Sequence, residues 1–269
     1  MRLGISSYAY TWAIGVPGYP VKAPMTPLQL LEMATDLGVS CVQIADNMPL
    51  HLLKPSELTE IEEQANSRHI AVEIGSRGLQ PDNFFRYLNI AGLFHSPILR
   101  MVIDAANFEP GIAEIISHLQ QYIPYLEKYK IKLAIENHDR FKAGEFLQIL
   151  KSVNSSWVGI CLDSVNSLGA GEGVHLVTEA LGPYTLNFHV KEFAIRRIDH
   201  KMGFIVEGKP AGQGMLPLPW MLEKISNQCQ SAILEQWVPP EDSIDKTIAK
   251  EARWAEASIH YLKHFFHND

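Results

Sequence analysis

Three carboxylates and one imidazole, Glu136, Asp163, His189 and Glu235, recur at intervals that a repeating strand and helix would set. The first two intervals, 27 and 26 residues, each match one strand, one helix and their loops; the third, 46 residues, is longer by about one large loop. Packed together away from water, such groups repel one another and their pKa values rise unless a cation neutralises them. One divalent metal ion resolves that conflict. Oxygen-rich ligation with a single nitrogen suits Mn, Mg, Co or Fe, and neither Cys161 nor Cys41 is expected to compete for the ion. Each residue also has a plainer use: Glu136 could pair with Lys191, Asp163 could cap a turn, and His189 could be a hydrogen-bonded core histidine. Their joint placement is what favours a site.

That placement rests on eight alternations of short apolar runs with amphipathic segments. The expected strands are Leu3 to Ser7, Ser40 to Ala45, Ile70 to Gly75, Ile98 to Ile103, Lys132 to Glu136, Val158 to Asp163, Thr185 to His189 and Ala232 to Glu235. Prolines at Pro27, Pro55, Pro81 and Pro217 mark helix starts. Alternation along a strand turns Glu136, Asp163, His189 and Glu235 inwards, and Phe188 and Leu186 outwards. The pattern predicts an α/β fold, a single (β/α)8 TIM barrel over residues 1–269, whose active site lies where strands end. The long stretches Thr11 to Met25 and Lys191 to Leu216 fall on that side and read as irregular. A doubly wound sheet uses the same alternation, but the G-x-G-x-x-G turn after its first strand is missing. Glu73 and Arg100 share inward parity and are expected to pair in the barrel floor.

Composition sets the outer limits. With 46% apolar residues the chain can bury a large core, and a net charge of -7 argues against a broad grip on nucleic acid or an anionic membrane. Three scattered cysteines suggest neither disulfides nor a zinc knuckle, so a cytoplasmic location is expected. No export signal or membrane span is visible.

The segments Ala134-Ile-Glu-Asn-His138, Gly159-Ile-Cys-Leu-Asp163 with Asn166, Phe188-His-Val-Lys-Glu192, Gly212-Gln-Gly214 and Leu234-Glu-Gln-Trp237 occur in an order, and at strand positions, that resemble the xylose-isomerase-like superfamily of barrels. The resemblance covers nearly the whole chain. It implies a metal held by Glu136, Asp163, His189 and Glu235, with Glu136 and Glu235 also moving protons on a small carbohydrate substrate. Abasic-site endonucleases share the fold, but their extra histidines are replaced here by Ala45-Asp46, Gly75 and Asn166. The implied reaction is isomerisation or epimerisation of a keto sugar, sugar phosphate or sugar acid through an enediolate. A lyase that decarboxylates a 3-oxo sugar acid, or a dehydratase, is the second reading, and a non-catalytic sugar-binding barrel the third.

Expected substrate contacts are Lys191, Glu192 and His138, together with Arg196 and Arg197, which stand one residue beyond the family's commonest arginine spacing. Tyr8, Tyr10, Trp12 and Trp237 could wall a sugar pocket. Phe84, Phe85, Tyr87 and Leu88 could form an exterior patch for a homo-oligomer.

Overall fold

The computed structural model of the protein describes residues 1–266. Eight parallel strands close into a barrel: β1 (Arg2–Ser6), β2 (Cys41–Ile44), β3 (Ala71–Arg77), β4 (Ile98–Val102), β5 (Lys132–Glu136), β6 (Val158–Asp163), β7 (Thr185–Lys191) and β10 (Ser231–Glu235), with β10 joining β7 to β1. The strands of the barrel match those expected to within about two residues. The stretch expected to be irregular after β7 instead contains an antiparallel hairpin, β8 (Phe193–Arg197) and β9 (Phe204–Gly208). Neither Phe193-Ala-Ile-Arg-Arg197 nor Phe204-Ile-Val-Glu-Gly208 alternates apolar with polar residues, so the strand period is absent from the sequence there. A side chain at Gly208 would run into the carbonyl of Trp237, so this glycine lets the hairpin press against the end of β10.

Around the barrel lie α1 (Thr11–Ile14), α2 (Pro27–Leu37), α3 (Pro55–Ser67), α4 (Pro81–Leu93), α5 (Ile112–Tyr129), α6 (Ala143–Val153), α7 (Val174–Leu181), α8 (Leu218–Lys224) and α9 (Ile244–Leu262). Their starts follow the local chemistry. Thr26 and Gln29 form a reciprocal capping box on α2, with Pro27 in the first turn, and Gly38 ends the helix at φ +61. Leu30, Leu31 and Ala34 on α2 are buried in the main core, as are the outward-facing strand residues Val42, Ile74, Leu133 and Leu162. Phe84, Tyr87 and Leu88 belong to that core rather than to an exterior patch; Phe84 stacks on Tyr122 at 3.7 Å. Helical packing accounts for them. No helix among the described residues is long and apolar enough to cross a membrane.

Inside the barrel, Ile98, Ala134, Cys161 and Leu186 form a separate apolar cluster. Leu186 was expected to face out. The register between β6 and β7 jumps, Ile160 opposing Thr185 and Cys161 opposing Asn187, so Leu186 is the extra residue of a β-bulge and turns inwards. A side chain at Gly159 would meet Leu186 Cγ at 2.6 Å and the Tyr184 carbonyl at 2.7 Å. The missing side chain at Gly159 is therefore the space that Leu186 fills. Gly159→Ala should destabilise the fold by about 1–3 kcal/mol, as overpacking does. Urea unfolding measures this, and an unchanged midpoint would refute the packing account.

Candidate metal centre

The inner residues of β5, β6, β7 and β10 converge as expected, around His189. His189 Nδ1 lies 3.3 Å from Glu235 Oε1, 3.4 Å from Glu136 Oε2 and 3.9 Å from Asp163 Oδ2, all fully buried. Asp163, His189 and Glu235 offer ligand atoms within 4.8 Å of one another, and so do Glu136, Cys161 and His189. Cys161 is thus closer to the quartet than expected, but burial pushes its thiol pKa well up and its Sγ lies 3.0 Å from Asn187 Oδ1.

The plainer uses of these residues are partly realised, and what they leave over is informative. Asp163 Oδ1 caps the turn after β6, accepting from the backbone N–H groups of Val165 and Asn166 at 2.8 Å each. Its Oδ2 stays buried beside the Lys191 ammonium, at 2.8 Å, without a well-directed hydrogen bond. Glu235 Oε1 and His189 Nδ1 have no hydrogen-bond partner either. Buried polar atoms are ordinarily paired, so three orphans converging on one point ask for a ligand.

The histidine's tautomer follows from the layer beneath. Gln43 Nε2 donates to Glu73 Oε2 and to Asn187 Oδ1, each at 3.0 Å, which leaves Gln43 Oε1 as an acceptor. His189 Nε2 sits 2.7 Å from that oxygen and must carry the proton. In a neutral imidazole Nδ1 then bears a lone pair, aimed at the carboxylates. That is the arrangement of a metal-binding histidine held by an outer hydrogen bond, so the donor set fits a divalent cation.

Two cations of the chain itself already balance much of the charge, which corrects the expectation that repulsion alone demands a metal. Lys191 belongs to β7, which runs two residues beyond His189, and it lies level with Glu235. Its Nζ is 3.0 Å from Glu235 Oε2. Burial opposes the ammonium charge, yet Asp163, Glu235 and Glu136 outweigh burial and raise the Lys191 pKa. Likewise burial works against ionised Glu235, but the cations beside it, Lys191 and Arg100, hold its carboxyl well below the usual range.

Arg100 pairs with Glu136 and, at 2.9 Å, with Asp46 Oδ1, not with Glu73 as parity suggested. Strand stagger is the reason. Arg100 is level with Gly75 and Ala134, one layer above Glu73, which is level with Gln43. Glu73 takes hydrogen bonds from Gln43, Asn187 and Ser231 instead. Asp46 also receives Arg77 Nε at 3.2 Å, and Arg77 Nη2 lies 3.4 Å from His138 Nε2. Sequence reasoning missed Asp46 and Arg77, although Arg77 shares the inward parity of Glu73 and Gly75.

The cleft above the quartet is about 200 Å³ and is lined by Tyr8, Arg77, Arg100, His138, Asn166, Lys191 and Trp237, among others. Of the expected substrate contacts, His138, Lys191 and Trp237 thus line this cleft. Trp12 stands in an adjoining chamber that shares Tyr8, Lys191 and Trp237 with the cleft. Four other residues named as contacts lie away from the cleft lining. Glu192 accepts from the backbone N–H groups of Phe193, Gly212 and Leu216 and so anchors the loop after β9. Arg196 and Arg197 lie on the exposed hairpin, against Glu207 and over the Phe204 ring. Tyr10 is buried in a separate depression beside Met33 and Ile259; the turn Ser7–Tyr10 is a 3-10 helix that carries it away from the cleft.

A model of the xylose isomerase-like TIM barrel family matches residues 29–263. The chain belongs to this family. It is 30% identical over 264 residues, 97% of this chain and 95% of the relative, to a 3-oxo-isoapionate decarboxylase from Pectobacterium atrosepticum. Among solved structures it resembles a D-psicose 3-epimerase determined in the presence of D-fructose, with a TM-score of 0.72, 16% identity and coverage of 98% and 99% of the two chains. It also resembles the IOLI protein with a bound zinc atom, with a TM-score of 0.69, 17% identity and full coverage of both chains. At such identities these two structures speak for the fold. The buried donor set gives this member of the family a place able to hold one divalent cation.

Two outcomes follow from the geometry. Arg100→Met should cost about 3–5 kcal/mol in chemical denaturation, because it leaves buried Glu136 without its guanidinium partner, and Arg100→Lys should recover little, since one ammonium cannot reproduce the fork. Gln43→Met, which touches no proposed ligand-bearing atom except through His189 Nε2, should weaken divalent-metal affinity about 10–100-fold in a competition titration. Unchanged affinity would sever the histidine from its outer hydrogen bond.

Proposed function

We propose that the protein is a divalent-metal-dependent decarboxylase of a 3-oxo sugar acid, with Asp163, His189 and Glu235 as metal ligands and Glu136 as the fourth. The observation that carries this reading is the inequality of the two glutamates. Glu136 Oε2 is held by Arg100 and its Oε1 accepts from Asn166 Nδ2 at 2.8 Å, whereas Glu235 Oε1 is free. An epimerase that inverts a carbon by two bases needs a mobile proton acceptor on each face. Glu136, with one oxygen held by a guanidinium and the other by an amide, is poorly placed for that part. Decarboxylation needs only an electron sink and one returned proton. The metal, when bound, supplies the sink by polarising a carbonyl oxygen.

The chain's own residues account for the rest. Arg77, half exposed and only partly neutralised by Asp46, gives the substrate's acid group a charged landing point with His138 beside it. Lys191 lies at the boundary of cleft and chamber, protonated and 3.0 Å from Glu235. As the bond to the carboxyl carbon breaks, its electron pair passes to the neighbouring carbonyl oxygen and CO2 departs. The Lys191 ammonium then delivers a proton to the carbon left behind and is recharged from solvent. Tyr8 and Trp237 limit water in the cleft. The 30% identical decarboxylase supports the same assignment over the isomerase first suggested by the motifs.

The test is release of labelled CO2 from carboxyl-labelled 3-oxo sugar acids, followed by carbon NMR with and without added Mn or Mg. Wild type should retain about one metal ion and release CO2. His189→Gln should lose both metal and activity, while Lys191→Met should keep the metal and lose at least about 100-fold in kcat. Deuterium entering ketoses from D2O without CO2 release would return the chain to the isomerase class. Failure to bind any divalent ion would defeat both readings.

A further inference from the structure

One plain use of Glu136, an ion pair with Lys191, does not form. Among the described residues the Lys191 ammonium pairs with Asp163 and Glu235, and Glu136 pairs with Arg100. The residue that touches both Glu136 and Lys191 is Asn166. Its Nδ2 donates to Glu136 Oε1 at 2.8 Å, and its Oδ1 accepts from Lys191 Nζ at 3.5 Å. Which end of the amide faces which neighbour is forced, because an ionised carboxylate can only accept and an ammonium can only donate. The backbone of Asn166 is pinned as well. Its N–H donates to Asp163 Oδ1 at 2.8 Å and its carbonyl accepts from the Gly169 N–H at 3.0 Å, so the side chain cannot drift towards either charge. The residue is 7% exposed and lines the cleft.

The longer of the two side-chain contacts is near the limit of a hydrogen bond and adds little energy. Its meaning lies in what it replaces. Charge draws the ammonium to Asp163 Oδ2 and Glu235 Oε2, at 2.8 and 3.0 Å, and a neutral amide of fixed orientation takes up the contact that Lys191 and Glu136 would otherwise make with each other. Opposite charges in a buried site attract strongly, and the flexible lysine stem allows the ammonium to move. Of the side chains with this reach, leucine would engage neither neighbour and aspartate would repel Glu136. Asparagine supplies a donor and an acceptor at once.

We propose that Asn166 is a positioning residue that keeps the Lys191 ammonium off Glu136 and on the side of Glu235, so that its proton reaches one face of the substrate carbon. The delivery of that proton rests on the decarboxylase reading; the separation of the two charges does not.

Asn166→Leu keeps the shape and removes both polar ends, and two measurements on it test the two halves separately. A crystal structure of the variant should place Lys191 Nζ within about 4 Å of a Glu136 oxygen, the span of an ion pair. An ammonium still shared by Asp163 and Glu235 alone would overturn the proposal, whatever the reaction. In turnover of a 3-oxo sugar acid in D2O, wild type should deliver deuterium to one face of the carbon that has lost CO2, as read by proton NMR of the product. Asn166→Leu should keep its metal, lose about 100-fold in kcat with KM within about threefold, and scatter deuterium over both faces. Structural damage alone lowers the amount of working protein and leaves the face of delivery unchanged, so deuterium confined to one face in the variant would also overturn the proposal. Should Asn166→Leu not fold, Asn166→Ala carries both measurements. Absence of CO2 release by wild type would defeat the decarboxylase reading and leave the crystal structure to decide on Asn166.

Discussion

The hydrogen bond between His189 Nε2 and Gln43 Oε1 is the contact on which the centre depends. It is the top of a chain of forced orientations. Glu73, sealed in the barrel, draws donors from Gln43, Asn187 and Ser231; burial pushes its pKa up, and the Ser231 and Gln43 bonds work against that rise. Because the Gln43 amide must turn its nitrogen to Glu73, it can only turn its oxygen to His189. The imidazole is then committed to present Nδ1 upwards, into three carboxylates. A polar network this deep is stabilising only if it is complete, and here it is complete below His189 and incomplete above it. The incompleteness is confined to atoms that face the mouth, which is where a functional site can leave polar groups waiting without weakening the rest of the core.

Charge balance above that layer is divided between two unlike cations. Arg100 is planar and spans Glu136 and Asp46 at once, so it fixes one side of the cleft in place. Lys191 has one ammonium on a flexible stem, shared by Asp163 and Glu235, and it faces the Trp237 ring at 5.2 Å. Exchanging the two would reverse the properties of the walls. The rigid side holds a carboxylate with both oxygens engaged, and the adjustable side holds the one with a free oxygen. That asymmetry, more than the identity of the four ligands, separates a site able to return one proton from a site able to move two.

Much of this was legible in the sequence because a strand has a period of two. Parity alone brought Glu136, Asp163, His189 and Glu235 to one axis, and it brought Lys191 there too once β7 is seen to continue past His189. Parity fails where the strand count does. The bulge at Leu186 inverts its face, and nothing local in Thr185-Leu-Asn187 announces it; the complementary vacancy at Gly159 lies on another strand. Stagger between strands is likewise invisible in one chain, which is why Glu73 and Arg100 were matched across layers that do not meet. Glu192 was misjudged for a third reason. Its partners are backbone N–H groups of a distant loop, and backbone donors carry no sequence signature.

The last residue of β10 and the two that follow it show how closely the parts are coupled. Glu235 enters the cleft, Gln236 ties the barrel to α9 and to the turn after β1, and Trp237 walls the chamber. A shift of one residue would exchange all three roles, so register here is held from outside by the Gln236 amide. The same end of α9 orders the opposite wall. Glu251 accepts from the backbone N–H groups of Trp12 and Ala13, at 2.9 and 3.0 Å, and Trp12 Nε1 donates to the Val238 carbonyl. Burial pushes the Glu251 carboxyl up to about 7 against the pull of those two bonds. A carboxyl whose folded pKa exceeds its unfolded value costs nothing below the ordinary carboxylate range, and the cost grows as pH rises towards 7. The protein therefore carries, at neutral pH, a buried carboxyl near the midpoint of its titration, with no cation among its hydrogen-bond partners, whose two oxygens hold the turn that bears Trp12. A wall kept at that cost is more readily understood as part of a binding surface than as packing, because packing alone could have been served by an apolar residue at position 251.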